Sequence, residues 1–387
     1  MNDLVSLGDL FDFKNGRAFK KSEWSDSGLP IIRIQNLNNE SAAYNYFEGQ
    51  YNQAIEIDNN DLLFSWSGTV GSSFGPHIWE RGKGVLNQHI YKIVNKSQID
   101  KRYAYYALLE ITSEIEASVN GAVGLVHVTK TDLKKFEIPV PSPAEQERIV
   151  GVLDEAFEGI ATATAQAEKN LQNARELFQS VLQSTFSQKG DDWVEATLNE
   201  VCLEFGRGKS KHRPRNDKTL YGGDYPFIQT GDIRNSGHLI ISYTQTYNDL
   251  GLSQSRLWPK GTVCITIAAN IAETGILDFE ACFPDSVIGL VVNPEKTSNS
   301  YIEYMLQYFK VKLQAEGKGS TQDNINLATF KSHQFPFAPL DMQQAIVEKL
   351  DALSEETKRL EAIYQRKLDA LAELKQSLLQ RAFTGQI

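Results

Sequence analysis

Cysteine is scarce. Three occur in 387 residues, Cys202, Cys264 and Cys282, and none forms a CxxC pair. That speaks against a disulfide framework and a cysteine zinc site. The six histidines are scattered without metal-ligand spacing. The opening MNDLVSLGDL carries acid where a secretory leader carries base, so it does not read as a signal peptide. No apolar run reaches the ~20 residues that span a bilayer. A cytoplasmic chain without a membrane partner is expected. Catalytic spacings are missing as well. Gly206-Arg207-Gly208-Lys209-Ser210 invites comparison with a phosphate-binding loop, but GxxxxGK[ST] needs glycine at 203, where Leu203 stands. There is no GxGxxG after a strand, no HExxH and no GxSxG. Asn293-Pro294-Glu295-Lys296 is not the Asn/Asp-Pro-Pro-aromatic tetrapeptide of amino-methyltransferases. No catalytic and no metal residue is assigned, and recognition or scaffolding is expected rather than chemistry.

Positive charge is also in deficit. The net charge is −10, divided as −3 over 1–142, −3 over 143–190, −3 over 191–338 and −1 over 339–387. Non-specific polyanion affinity comes from phosphate neutralisation. A chain acidic in every segment must bind nucleic acid through local patches, or with a partner that completes the clamp.

What is present is a repeated long helix. From Ser142 to Gly190, small or apolar residues alternate in steps of four and three, the period of a coiled-coil seam. One seam position runs Leu153, Ile160, Ala167, Ala174, Val181; the other runs Ile149, Ala156, Ala163, Asn170, Leu177. Ser142, Pro143 and Glu145 make a capped start, and Gly190 offers a stop. The stretch recurs at an offset of 197: Gln146 meets Gln343, Ile149 meets Ile346, Leu153-Asp154 meets Leu350-Asp351, and Phe186 meets Phe383. Projection gives Leu350, Thr357, Tyr364, Leu371, Leu378 on one position and Ile346, Leu353, Leu360, Lys367, Leu374 on the other. One such helix alone would suggest a dimer between chains. Two in one chain, each after a globular segment, can pair with each other and imply a pseudo-twofold molecule.

The domains expected are 1–141, globular; 142–190, the central helix; 191–338, globular; and 339–387, the C-terminal helix. In the first globular segment, strands are expected at Pro30–Ile34, Leu62–Trp66 and Val85–Val94, with a helix over Arg102–Val119. The second repeats the plan loosely: Tyr301 and Tyr304 follow Tyr103 and Tyr106 at an offset of 198. Between such anchors the sequences differ, which suits two recognition modules with different targets and equally suits drift of a duplicated domain.

The densest cationic stretch holds Arg207, Lys209, Lys211, His212, Arg213, Arg215 and Lys218, with Arg17, Lys20 and Lys21 at the matching place in the first segment. Loop cations suit phosphates and guanine edges; a solvated charged loop is the plain alternative. Arg33 lies near the end of the first early strand, and Gln35, Asn36 and Asn38 follow it; Gln229, Thr230, Asp232 and Arg234 follow its counterpart. Asn and Gln can read adenine and Arg guanine, or these residues serve ordinary turns. Asn87-Gln88-His89 is either a base reader or a buried cluster.

Taken together, a variable segment, a long helix, a second variable segment and a second long helix resemble the specificity subunit of type I restriction-modification systems. Pro141-Ser142-Pro143-Ala144-Glu145-Gln146-Glu147-Arg148-Ile149 and Ser377-Leu378-Leu379-Gln380-Arg381-Ala382-Phe383-Thr384-Gly385 carry the resemblance best. Gly222-Gly223-Asp224-Tyr225-Pro226-Phe227-Ile228 and Phe283-Pro284-Asp285-Ser286-Val287 add to it. The second helix departs, entering through Pro339-Leu340-Asp341-Met342-Gln343. The resemblance implies an α+β fold: two target recognition domains separated by an antiparallel intramolecular coiled coil. Each domain would read half of a bipartite site in double-stranded DNA. Two modification (methyltransferase) subunits would dock on the helices and methylate adenine with S-adenosylmethionine, which they and not this chain would carry. Restriction subunits would be further partners. A helix of ~45 residues is ~65 Å long at ~1.5 Å per residue, enough to hold domains one to two ~35 Å duplex turns apart. The rival class is a tandem-domain protein-binding scaffold, distinguished by the absence of a steep salt dependence on DNA.

Overall fold

The computed structural model describes residues 3–68, 73–118, 126–211, 217–268, 271–318 and 327–387. Contacts group the chain into two compact units. The first is Met1–Ala167 with Arg366–Ile387, and the second is Glu168–Gln365. The central helix, Pro143–Ser187, and the C-terminal helix, Leu340–Phe383, each give one part to either unit.

In the first unit, β1 (Leu4–Ser6), β2 (Phe11–Asn15), β3 (Leu29–Ile32), α1 (Ile34–Asn38), β4 (Asn45–Phe47), β5 (Glu56–Ile57), β6 (Asp61–Ser65), β7 (Gly75–Trp79), β8 (Gly84–Leu86), β9 (Ile90–Asn95), α2 (Lys101–Glu110) and β10 (Glu137–Pro139) follow in order. Two four-stranded sheets result, β2-β9-β6-β7 and β4-β3-β8-β5, with β1 paired to β10. The strand expected over Val85–Val94 is therefore two. β8 pairs in parallel with β3, and β9 pairs antiparallel with β2 and β6. The chain changes sheet at Asn87–His89, a step that apolar patterning does not register. The strand expected over Pro30–Ile34 ends at Ile32, because Asn36 Oδ1 accepts the Arg33 N–H (3.0 Å) and closes the first turn of α1. The helix expected from Arg102 breaks after Glu110 and resumes at Thr112–Ser118; Val119 lies outside the described residues.

The second unit has the same plan: β11 (Val194–Ala196), β12 (Cys202–Arg207), β13 (Tyr221–Phe227), α3 (Thr230–Ser236), β14 (Leu239–Ile240), β15 (Gln245–Tyr247), β16 (Val263–Thr266), β17 (Thr274–Leu277), β18 (Val287–Val292), α4 (Asn299–Lys318) and β19 (Phe335–Phe337). A five-stranded sheet runs β12-β18-β16-β17-β14, and β13 pairs with β15 and β11 with β19. β9 and β18 occupy the same place in the repeat, as do α2 and α4. The α+β class and the duplication hold.

Within each unit the two long-helix segments run antiparallel. In the first, Arg148 Nη2 donates to the Ile387 carbonyl (2.7 Å), and further along Lys375 Nζ lies 5.1 Å from the Phe157 ring centre. In the second, Arg175 pairs with Glu361 (3.3 Å), and Leu182 and Phe186 share a core with Leu350. Ile149, Leu153, Ile160 and Leu350 are buried at their expected seam positions. Val181, Ile346, Leu353, Leu360, Leu371 and Leu378 are half-buried. Leu177 and Leu374 depart from the expectation, at 44% and 47% exposed. Leu171, Leu182, Leu379 and Ala382 are buried instead. A straight helix has 3.6 residues per turn and drifts ~20° per heptad. Here the drift is used, because the far end of the central helix turns its apolar side onto the core of the second unit through Leu182 and Phe186.

Phe186 and Phe383 match in sequence but differ in packing. Phe186 is fully buried against Trp193, Tyr301 and Tyr308, with centroids at 6.3, 5.5 and 5.7 Å. Phe383 is half-buried, with Tyr103 at 5.3 Å. Phe186→Ala is expected to cost about 3–5 kcal/mol. Phe383→Ala is expected to cost only the transfer term, roughly 1.5–3 kcal/mol. Thermal unfolding midpoints of the two variants check this; equal shifts would contradict the packing difference.

Candidate nucleic-acid interface

In the first unit the segment leaving β2 is pinned from both sides. The Gly16 N–H donates to the Ile90 carbonyl (3.0 Å) and the Arg17 N–H to the Leu86 carbonyl (2.8 Å). The Arg17 guanidinium lies 4.9 and 5.0 Å from the Phe19 and Phe47 ring centres and pairs with Glu23. Glu23 also accepts the Lys20 N–H (2.8 Å). Arg17 therefore holds the loop in shape, and Lys20 and Lys21 are the cations it presents to solvent. Arg33 caps α1 and lies 5.9 Å from the Trp24 ring centre. Asn36, expected to read bases, is 1% exposed. Its oxygen serves Arg33, and its nitrogen donates to the Ala42 and Ala43 carbonyls (3.2 and 3.3 Å). It is a turn residue. Gln35 and Asn38 are exposed on α1. Arg81 was not expected. It covers the Trp79 ring at 4.3 Å and ties the Tyr44 hydroxyl (3.2 Å) and the Asn36 carbonyl together. A lone arginine beside Trp79 in sequence gives no signal of that role.

The second unit repeats the device. The Gly208 N–H donates to the Val287 carbonyl (2.9 Å), the Lys209 carbonyl accepts from Ser255 Oγ (2.8 Å) and the Lys211 N–H donates to Gln254 Oε1 (2.6 Å). The backbone is held while the Arg207, Lys209 and Lys211 side chains stand exposed, as does Lys218 in the short turn Lys218–Leu220. His212, Arg213 and Arg215 lie outside the described residues. Asp232 corresponds to Asn36: its Oδ2 accepts the Gln229 N–H (2.8 Å) and the Thr244 hydroxyl (3.4 Å). Through that oxygen it caps α3. Gln229 is the cap residue, Thr230 is half-buried, and Arg234 is exposed in the last turn of α3.

Asn87–His89 is a half-buried turn. The Trp66 indole N–H donates to the Gln88 carbonyl (3.1 Å), and the Trp66 ring lies 5.1 Å from His89 and 5.7 Å from His127. Burial, then the His127 charge, pushes the His89 pKa down. Among the described residues, no group of three or more His, Cys, Asp and Glu side chains could hold a metal ion, and no helix is long and apolar enough to cross a membrane.

The comparisons with known proteins bear on both units. The family described as the type I restriction modification DNA specificity domain matches residues 2–173 and again 190–367. The chain belongs to this specificity family. It is 23% identical to the type I restriction enzyme EcoBI specificity subunit of Escherichia coli, over 99% of this chain and 85% of that one. It is 24% identical to the putative type I restriction enzyme MjaX specificity subunit of Methanocaldococcus jannaschii, over 100% and 93%. Its fold is similar to that of a chain from a type I R-M system (TM-score 0.80, 18% identity, 100% and 98% covered) and of the HsdS subunit from Thermoanaerobacter tengcongensis (TM-score 0.60, 19% identity, 100% and 97% covered). The two family matches coincide with the two repeats found in the sequence.

Proposed function

We propose that this chain is the DNA sequence-specificity subunit of a type I restriction-modification complex and does no chemistry itself. Each recognition domain reads one half of a bipartite target. The paired helices set the gap between the halves and dock two modification subunits. Those subunits carry S-adenosylmethionine, flip the adenine and methylate it; where a system includes restriction subunits, they join the same assembly. One observation supports this reading above the others: a similar scaffold, occurring twice, presents unlike cationic loops at the same strand end. In one domain these are Lys20 and Lys21; in the other they are Arg207, Lys209 and Lys211. Phosphate contacts position a protein and base contacts specify its sequence, so changing such loops on a constant frame changes the target and not the geometry. The net acidity of both domains fits readers that rely on partners for much of their affinity.

Long-read sequencing of host DNA, with the modification subunit expressed in the presence or absence of this chain, tests the reading. A bipartite N6-methyladenine motif is expected with the chain and none without it. An unchanged methylation pattern, with the two subunits shown to associate, would overturn it in favour of the scaffold reading.

A further inference from the structure

We infer that Gln146 and Gln343 are positioning residues that lock each recognition domain at one angle on its helix, and thereby fix the length of the unread gap between half-sites; this rests on the function proposed above. Both lie in the first turns of the long helices, at the same place in the repeat, and both are 2% exposed. Each amide ties three elements. Gln146 Oε1 accepts the Asp100 N–H (2.8 Å) at the cap of α2, and its Nε2 donates to the Pro141 carbonyl (2.9 Å) where the chain leaves β10. Gln343 Oε1 accepts the Thr297 hydroxyl (2.9 Å) just before α4. Its Nε2 donates to the Ala338 carbonyl (2.8 Å) beside β19 and to the Lys296 carbonyl (3.1 Å).

Farther along, a tyrosine repeats the connection. The Tyr106 hydroxyl donates to Asp154 Oδ1 (2.6 Å) and the Tyr304 hydroxyl to Asp351 Oδ1 (2.5 Å). Burial, then the Asp154 hydrogen bond, pushes the Tyr106 phenol up to about 12, so it stays a donor. Tyr103 and Tyr301 donate to the Pro139 and Pro336 carbonyls (2.8 and 3.0 Å).

Apolar packing alone would hold domain to helix and would tolerate sliding. A buried amide with both ends satisfied does not, because any rotation strands a donor or an acceptor away from water. The same amides recur where the reading loops between them have diverged, so they serve a requirement shared by both domains. That requirement is geometric. Base-pair steps are ~3.4 Å apart, so a tilt that moves a reading loop by that distance changes the gap by one base pair.

The test uses the full chain with its modification subunit and a set of duplexes carrying both half-sites at gaps one or two base pairs shorter and longer. Gln146→Leu with Gln343→Leu is expected to leave both half-site sequences unchanged. It should raise methylation at neighbouring gaps about tenfold relative to the correct gap, only part of what the lost buried hydrogen bonds contribute. Tyr106→Phe with Tyr304→Phe removes a neighbouring pair of bonds without changing core volume, and should broaden the gap in the same direction if the leucine variant folds poorly. A parallel fall at every gap, with the preference unchanged in both variants, would overturn the inference and leave these residues a purely stabilising role. A wild-type chain that directs no bipartite methylation at all would instead overturn the function beneath it.

Discussion

Gly16→Ala is expected to abolish sequence discrimination at one half-site and to leave the other intact. A Cβ on Gly16 would lie 1.9 Å from the Asn87 carbonyl oxygen, 2.5 Å from its carbon and 2.6 Å from the Leu86 oxygen. All three are backbone atoms at the point where the chain crosses between sheets, so no side chain can swing aside. Relief requires the end of β2 to lift away. That breaks the bonds of Gly16 and Arg17 to Ile90 and Leu86 and releases the loop carrying Lys20 and Lys21. Overpacking costs roughly 1–3 kcal/mol and each lost backbone bond roughly 1 kcal/mol, about 3–5 kcal/mol together. Gly208 is its counterpart: a Cβ there would lie 2.2 Å from the Phe283 oxygen and 2.5 Å from the Pro284 oxygen. Gly208→Ala should therefore release the Arg207, Lys209 and Lys211 loop and affect the opposite half-site. Each mismatched base pair ordinarily costs about 1–3 kcal/mol. Binding is measured on the intact site and on sites altered in one half. Gly16→Ala should lose that penalty in one half only, and Gly208→Ala in the other. If either variant lost discrimination in both halves, the domains would not read independently.

The duplication could be read from sequence because its markers are residues that a fixed scaffold demands. Gln146 and Gln343, Tyr103 and Tyr301, and Leu153 and Leu350 keep their spacing because each bonds or packs against a repeated partner. The site was less legible. Asn36 and Asp232 sit just past a strand, where a polar side chain can face DNA or close a helix turn; only their bonds to Arg33 and Gln229 distinguish the two. Charge alone groups Arg17 with Lys20 and Lys21, yet its aromatic neighbour Phe47 and its partner Glu23 make it part of the frame. A strict heptad places Leu177 and Leu374 on the seam, whereas the helices follow a longer period as they turn toward the domain cores.

Lengthening both helices should lengthen the gap in the recognised site. The helices pass from one unit to the other between Ala167 and Glu168 and between Gln365 and Arg366, so insertions there leave both domain anchors whole. Four residues add ~6 Å at ~1.5 Å per residue, close to two base pairs at ~3.4 Å each. Seven add ~10.5 Å, close to three. Length alone would favour neither, but rotation does. Four residues at 3.6 per turn advance the helix by about 40° beyond a full turn, while seven fall about 20° short of two turns. Two added base pairs turn the far half-site by about 70° and three by about 100°, at ~10–10.5 base pairs per turn. A four-residue insertion follows the duplex to within about 30°, and a seven-residue insertion misses by about 120°. The four-residue variant is expected to move the preferred gap two base pairs longer at near wild-type yield. The seven-residue variant is expected to move it three base pairs longer with much weaker methylation. Methylation of duplexes with graded gaps measures both. An unchanged preferred gap in the two variants would mean that the helices do not act as the ruler and that spacing is set by the docked subunits.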